Sequence, residues 1–184
     1  NKSAEVSKNS NANSETNKSS ELVKCGLTKF PSVKGFSLGQ TVDEINANYP
    51  FFKKGYEAEK EKELEDRKKA NFVLMTLGSS FTDEETKGVS EFEGVSFIWH
   101  FLDEKLMALV VKYQDDETSK IDKVKPLVEK IAAKYDLPKE GWKFDEEDGA
   151  TLDCQGIRVD LSNHYQSGPT LMITDLSLEK ESKK

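Results

Sequence analysis

The sequence predicts an α+β fold in which helices pack on an antiparallel β-sheet. Apolar runs of strand length follow one another through short turns in both halves of the chain, and apolar residues recur at helical spacing over residues 121–135. Successive strands joined by short turns favour antiparallel pairing, and helices that stay apart from those strands are typical of α+β proteins. The two halves either share one sheet or form two tandem helix-plus-sheet units.

A short helix is predicted to begin at Thr41. Thr41 and Glu44 have the spacing of a capping box, in which the hydroxyl accepts from the Glu44 amide and the carboxylate accepts from the Thr41 amide. Gly39 permits a turn with positive φ before the cap, and Pro50 stops the helix.

The next segment of the chain is highly charged. Over 57–69 only Ala58 and Leu64 are uncharged, a composition typical of a solvated linker or an exposed surface helix. The apolar run at 71–77 then predicts a strand, and the glycine, serine and acidic residues of 78–93 predict a loop.

Residues 95–102 and 105–113 form the clearest hairpin signal in the sequence, because two apolar runs flank a two-residue turn. Pairing Leu102 with Lys105 gives two faces, which carry Phe97, Trp99, Phe101, Leu106, Ala108 and Val110 on one side and Ile98, His100, Leu102, Met107, Leu109 and Val111 on the other. Both faces are mostly apolar, so we expect a central hairpin with a helix on one side and a second cover on the other.

The second half repeats the pattern of a helix followed by strands. The apolar stripe over 121–135 predicts an amphipathic helix, and strands are predicted at 142–144, 151–162 and 170–178. Within the middle strand the apolar phase shifts at Gln155-Gly156, which predicts a β-bulge that returns the same face to the core.

Composition sets the predicted domain boundaries. Residues 1–24 are rich in Asn, Ser, Lys and Glu and cannot offset their ordering entropy by burial, so we expect a disordered polar tether. Residues 25–179 are expected to form a single α+β domain with halves at about 25–116 and 117–179, and residues 180–184 a frayed charged tail.

The opening segment and the two cysteines favour an exported protein. A polar tether that begins at Asn1 resembles what remains after a secretory or lipoprotein signal is removed, although a cytosolic tail has the same composition. We expect a periplasmic, outer-membrane-anchored or extracellular location, the anchored form carrying a lipid upstream of Asn1. In such a compartment Cys25 and Cys154 are expected to form a disulfide. By lowering the entropy of the unfolded chain it would stabilise the fold by roughly 4–5 kcal/mol. Two separate buried thiols are the alternative.

Charge and hydropathy argue against a nucleic-acid partner and against a membrane span. With 34 acidic against 27 basic residues and a net charge of −7, the chain lacks the surplus of Lys and Arg that neutralises phosphates, so no nucleic-acid partner is expected. No apolar stretch reaches the length of about 18 residues that a membrane span needs, so no transmembrane segment is predicted.

Residues that commonly carry chemistry are sparse. His100 lies in an apolar strand and His164 near a turn, and neither belongs to a recognisable nucleophile, zinc or phosphate motif. The acidic run at 145–149 lacks the alternating spacing and the closing glutamate of a calcium loop, since Gly156 stands at the twelfth position. We therefore predict no catalytic residue, no cofactor and no metal site, while a spatial pair of carboxylates or a cysteine beside a histidine stays open as an enzyme alternative.

The start of the first helix resembles a known envelope family. The run Gly35-Phe36-Ser37-Leu38-Gly39-Gln40-Thr41-Val42-Asp43-Glu44-Ile45 looks like the Leu-Gly-x-Thr-x-x-Glu-Val helix start of the BamE (SmpA/OmlA) outer-membrane lipoproteins, and the order of elements is similar to the β-lactamase-inhibitor-protein fold. The resemblance implies an envelope location, a helical layer on an antiparallel sheet, and protein binding without catalysis. The second helix-plus-sheet half departs from the single-unit assembly factors.

These observations predict an exported, non-enzymatic module that binds another protein or assists envelope assembly. Interfaces favour aromatic side chains, so the candidate anchors, unless they belong to the core, are Trp99, Phe97, Phe101, Trp142 and Tyr165. The alternative is a small hydrolase or ligand carrier with a pocket between helices and sheet, which a deep cavity holding a histidine beside a carboxylate would favour.

Overall fold

The computed structural model describes residues 27, 30–67, 71–114, 117–145, 148–154, 156–164 and 168–182. Helices and an antiparallel sheet within these residues confirm the predicted α+β class. In chain order the elements are β1 (Ser32–Val33), β2 (Phe36–Ser37), α1 (Val42–Asn48), α2 (Phe52–Arg67), β3 (Phe72–Thr76), α3 (Leu77–Ser80), α4 (Asp83–Thr86), β4 (Val95–Leu102), β5 (Lys105–Tyr113), α5 (Val124–Lys134), β6 (Lys143–Phe144), β7 (Gly149–Cys154), β8 (Ile157–His164), β9 (Gly168–Asp175) and α6 (Leu176–Ser182). None of the described helices has the length and apolar character that crossing a bilayer requires.

One sheet runs through both halves of the chain. Its strand order is β3-β4-β5-β9-β8-β7-β6, and every neighbouring pair is antiparallel. The pairing of β5 with β9, from Ala108 opposite Thr174 to Lys112 opposite Thr170, joins the strands of the first half to those of the second. This pairing answers the question that the sequence leaves open, because two tandem units would each close their own sheet.

The first helix begins as predicted. The Glu44 amide donates to Thr41 Oγ1 at 3.2 Å and the Thr41 amide donates to Glu44 Oε2 at 2.8 Å, which completes the capping box of α1. Gly39 has a φ of +81°, as its place before the cap suggests. The helix ends at Asn48, before Pro50.

The charged segment is a helix, and the segment predicted as a loop contains further helical turns. α2 covers most of 57–69, so the surface-helix interpretation holds over the described residues. The loop predicted over 78–93 is wrong, because α3, α4 and a 3-10 turn at Ser90–Phe92 lie there. A second capping box, Thr82 with Glu85, starts α4, and bonds from Lys54 and then Thr82 lower the pKa of Glu85 to about 2.

The hairpin predicted at residues 95–113 needs one correction. Leu102 pairs with Lys105 as predicted, but the register of β4 and β5 shifts between His100 and Phe101, which leaves Met107 as an extra residue. The predicted faces of β5 beyond that point are therefore wrong by one residue, and the side chains that share the core side are Phe97, Trp99, Leu109 and Val111.

The bulge predicted at Gln155-Gly156 is wrong. Gly156 lies in the turn of a hairpin between β7 and β8, in which Cys154 lies opposite Ile157; Gln155 is outside the described residues. Residues directly opposite each other in a sheet point to the same face, so Cys154 and Ile157 share a face although they are three positions apart in sequence. A two-residue turn therefore changes which positions are apolar in the same way as a bulge does.

The end of the chain is more ordered than predicted. The strand predicted over 170–178 ends at Asp175, and α6 continues through Ser182, where a frayed tail is expected. The buried Asp175 carboxylate accepts from the amides of Ser177 at 2.9 Å and Leu178 at 3.3 Å, which satisfies backbone donors at the helix start.

Cys154 is buried on the core side at the end of β7. Cys25 and the predicted tether of residues 1–24 lie outside the described residues. The disulfide between Cys25 and Cys154 therefore stays a prediction.

Aromatic side chains dominate the core between the first helices and the sheet. The ring of Phe36, which is fully buried, is stacked on Tyr49 at a centroid distance of 5.3 Å and meets Trp99 edge-on at 5.4 Å. α2 packs on β3, and α5 packs on β7 and β8 through Leu127, Val128 and other apolar side chains. The main core therefore lies on one face of the sheet.

Candidate protein-binding surface

The opposite face of the sheet, which we call the outer face, carries apolar side chains that are partly exposed. Side chains alternate along a strand, and the buried residues of β3 and β4 point to the core, so Leu74 and Ile98 point to the outer face. Ile98 lies opposite Val110, and Val110 lies opposite Met172. We call Leu74, Ile98, Val110 and Met172 the outer patch.

The outer patch is incompletely covered. Leu74 is 38% exposed, and the other three side chains are half-buried. Elsewhere on the outer face Leu102, Ala108 and Thr174 are buried, so the expected second cover of the hairpin is present over part of that face. Val110 stays on the partly exposed side because the shift at Met107 turns Leu109 and Val111 toward the core.

His100 lies beside the outer patch. Its cross-strand neighbours are Leu74 and Ala108, and its ring meets the Phe72 ring edge-on at a centroid distance of 6.0 Å. Burial lowers the pKa of His100 below its ordinary value of 6.5. The imidazole is therefore neutral at pH 7 and adds little charge to this apolar surface.

Because burial lowers the pKa of His100, we expect the stability of the fold to decrease on acidification. In the unfolded chain the imidazole takes up a proton as the pH falls below 6.5, whereas the folded state resists protonation until its lowered pKa is reached. We expect the unfolding free energy of the wild type, relative to His100→Gln, to be constant above pH 7 and to decrease from pH 6.5 downward. Urea unfolding at a series of pH values measures this difference. Parallel pH profiles for the two proteins would contradict the assignment.

Charged side chains border the outer face at β7 and β8. Arg158 Nε donates to Asp153 Oδ1 at 2.9 Å and Lys143 Nζ donates to Asp153 Oδ2 at 3.2 Å, and these bonds lower the pKa of Asp153. Burial raises the pKa of the neighbouring Asp160, whose carboxylate accepts from Thr151 Oγ1 at 2.9 Å. The outer face thus joins an apolar half to a polar half.

Two clefts lie away from the outer patch. One has a volume of about 250 Å³ and is lined by residues that include Asp122, Asp148 and Asn163. The other has a volume of about 560 Å³ beside Tyr49 and Glu91, and burial, followed by the charge of Glu91, raises the pKa of Tyr49. Small-molecule sites are mostly apolar, whereas polar side chains line much of both clefts.

The structure separates the predicted aromatic anchors. Phe97, Trp99 and Phe101 are fully buried in the core and cannot contact a partner. Trp142 is half-buried, with its indole N–H bonded to the Pro138 carbonyl at 2.8 Å. Tyr165 lies outside the described residues. The outer patch was not among the predicted anchors.

The remaining residues considered for chemistry do not come together among the described residues. The side chain of His164 lies outside the described residues, as do two members of the acidic run, Glu146 and Glu147. Asp145 Oδ1 accepts from the Gly149 amide at 2.7 Å. Among the described residues, His, Cys, Asp and Glu form no cluster of three that could hold a metal ion.

No protein-family model matches the chain, and the searches of curated proteins and of solved structures found no match. The resemblance to the BamE (SmpA/OmlA) lipoproteins therefore stays a prediction.

Proposed function

We propose that this chain is an exported, non-enzymatic protein-binding module of the cell envelope, and that the outer patch is its contact surface. The observation that carries the proposal is the partial exposure of Leu74, Ile98, Val110 and Met172 on adjacent paired strands. Contiguous apolar side chains at the surface of a soluble domain are typical of interaction sites.

The sheet presents these side chains at a low entropic cost. Paired strands on both sides restrict the backbones of β4 and β5, and the β-branched side chains of Ile98 and Val110 have few rotamers to lose. A partner that covers the patch therefore keeps most of the free energy gained from apolar burial.

The polar half of the outer face supplies the rim of the proposed interface. Interfaces combine an apolar centre with a polar surround, and Arg158, Asp153 and Lys143 form a bonded group beyond β9. Because these side chains bond one another, they present a defined pattern of charge to a partner.

An envelope location rests on the sequence. Residues 1–24 are rich in Asn, Ser, Lys and Glu, as polar tethers are, and residues 35–45 resemble the helix start of envelope lipoproteins. The capping box of α1 and the helices packed on the antiparallel sheet are compatible with that resemblance.

A ligand carrier is the second candidate, favoured by the cleft of about 560 Å³ beside Tyr49. Its lining includes Asn48, Ser90 and Glu91, which suits a polar ligand rather than an apolar one. The outer patch plays no part in this candidate, so variants of the patch distinguish the two functions.

We expect the double variant Ile98→Thr with Val110→Thr to lose partner binding. Threonine keeps the β-branched shape that strands favour and removes apolar surface. Burying one such side chain contributes about 1.5–3 kcal/mol, and each 1.4 kcal/mol is about tenfold in affinity, so binding should fall by more than about tenfold. The measurement is quantitative affinity capture from a cell-envelope extract with the tagged full chain.

The matched control is Lys112→Thr, which changes the same face of β5 outside the patch. The proposal expects one protein to be recovered equally by the wild type and the control and to be depleted with the double variant. Equal recovery by all three proteins, or recovery of nothing above background by the wild type, would contradict it.

A further inference from the structure

Among the described residues β3 is an edge strand, and its own sequence lacks the residues that usually protect an edge. It pairs with β4 on one side, and its residues are Phe72, Val73, Leu74, Met75 and Thr76, with no charge and no proline. Natural sheets blunt their edges with short strands, lysines, prolines or bulges, because an open edge is a template for another strand. The opposite edge follows this rule, since β6 is two residues long and begins with Lys143.

The hydrogen bonds show which backbone groups of β3 point outward. The Asp103 amide donates to the Asn71 carbonyl at 2.8 Å, so Asn71 faces β4. Alternation along an antiparallel pair then directs the groups of Val73 and Met75 to β4 and those of Phe72, Leu74 and Thr76 away from it.

Only part of this outward row is satisfied in the described part of the chain. The Thr76 amide donates to Ser80 Oγ at 3.0 Å, which closes the end of the strand beside α3. The amides and carbonyls of Phe72 and Leu74 have no bond with another described residue on that side. These are the two adjacent outward-facing residues that an added strand would use.

We propose that two copies of this chain pair through the outer edges of β3, antiparallel about a twofold axis at Val73. In this register Phe72 of one copy lies opposite Leu74 of the other, and each pair exchanges two backbone hydrogen bonds. The pairing uses every outward group of Phe72 and Leu74 and leaves the Thr76 amide with Ser80.

The register is specified by the same geometry. Centring the axis on Leu74 would oppose Phe72 to Thr76, whose amide is already bonded to Ser80 Oγ. Centring it on Phe72 would pair Phe72 with its counterpart and set Leu74 opposite residue 70, which lies outside the described residues, so only one described outward residue in each copy would be paired. A second copy also supplies the matching surface, because a twofold interface needs a self-complementary edge.

The side chains favour the same pairing. The side chains of Phe72 and Leu74 point to the outer face. Phe72 of one copy would therefore contact Leu74 of the other copy across the axis, as an apolar cross-strand pair. The outer patches of the two copies would then lie on the same face of one continuous sheet. This inference stands independently of the proposed partner.

Leu74→Pro tests the pairing with little cost to the fold. Proline removes the outward amide of Leu74, which β4 does not use, and edge strands tolerate proline at such positions. We expect the mass of the wild type in sedimentation equilibrium to rise with concentration from 20.7 kDa toward twice that value, and the variant to stay at 20.7 kDa. The matched control is Leu74→Val, which keeps the amide and should keep the association.

Hydrogen exchange on the wild type tests the same geometry without a substitution. The amides of Phe72 and Leu74 should gain protection as the concentration rises, while the protection of the Thr76 amide stays constant. A monomer at every concentration, a dimer that survives Leu74→Pro, or protection of Phe72 and Leu74 at all concentrations would each overturn the proposal. The last result would mean that the chain covers its own edge.

Discussion

Replacing Phe36 with alanine is expected to destabilise the fold by about 3–5 kcal/mol, the range for an aromatic side chain removed from a packed core. Phe36 is 0% exposed, and its ring lies within 6.2 Å of the rings of Tyr49, Phe52, Phe92, Phe97 and Trp99. Alanine would leave a cavity between the β1–β2 segment, the helices and the sheet. Because a domain of this size has a total stability of about 5–15 kcal/mol, the loss is large.

The matched control is Phe144→Ala at a side chain that is 50% exposed. This variant should change the unfolding free energy by less than about 1 kcal/mol, since little packed surface is removed. Urea unfolding followed by circular dichroism measures both variants. Similar losses for the two would show that the ring cluster around Phe36 does not stabilise the fold as described.

Replacing Gly55 with alanine is expected to destabilise the protein by about 2 kcal/mol, although alanine is ordinarily the better helix former by about 1 kcal/mol. Gly55 lies inside α2, where a Cβ would overlap the Phe81 ring and lie 2.8 Å from the Ser80 carbonyl oxygen. The carbonyl belongs to the backbone, so α2 and the segment at Ser80 would have to separate.

Gly78→Ala is the control for this prediction. Gly78 lies in α3, and a Cβ there would meet nothing within 4 Å, so alanine should leave stability unchanged or raise it by up to about 1 kcal/mol. In urea unfolding we expect a loss of stability for Gly55→Ala and no loss for Gly78→Ala. A gain in stability for Gly55→Ala would contradict the close approach of α2 to Phe81.

The candidate surface shows how far alternation in a sequence predicts a face. The pairing of Leu102 with Lys105 follows from the two-residue turn, and β4 has the predicted alternation. One extra residue at Met107 then exchanges the two sides of β5 and places Val110 beside Ile98. Local apolar pattern does not encode such a bulge, because both phases of β5 are apolar.

Phe97, Trp99 and Phe101 belong to the core, which the sequence left open as the alternative to an interface, for a related reason. Trp99 and Phe97 have the composition of an interface centre, and the same composition suits a core. Only the packing of Phe36 and Phe92 over these rings decides that they are inside. The partly exposed residue between them in sequence is instead the aliphatic Ile98.

By itself, the sequence determined the α+β class, the Thr41 cap, the hairpin at residues 95–113 and the helix at 124–134, because short-range periodicity and capping chemistry set each of them. The tertiary structure alone decided that both halves share a sheet, that Gly156 belongs to a hairpin turn, and which strand is left at the edge. These outcomes depend on pairing between residues that are distant along the chain, such as Ala108 with Thr174, and no local pattern specifies such a partner.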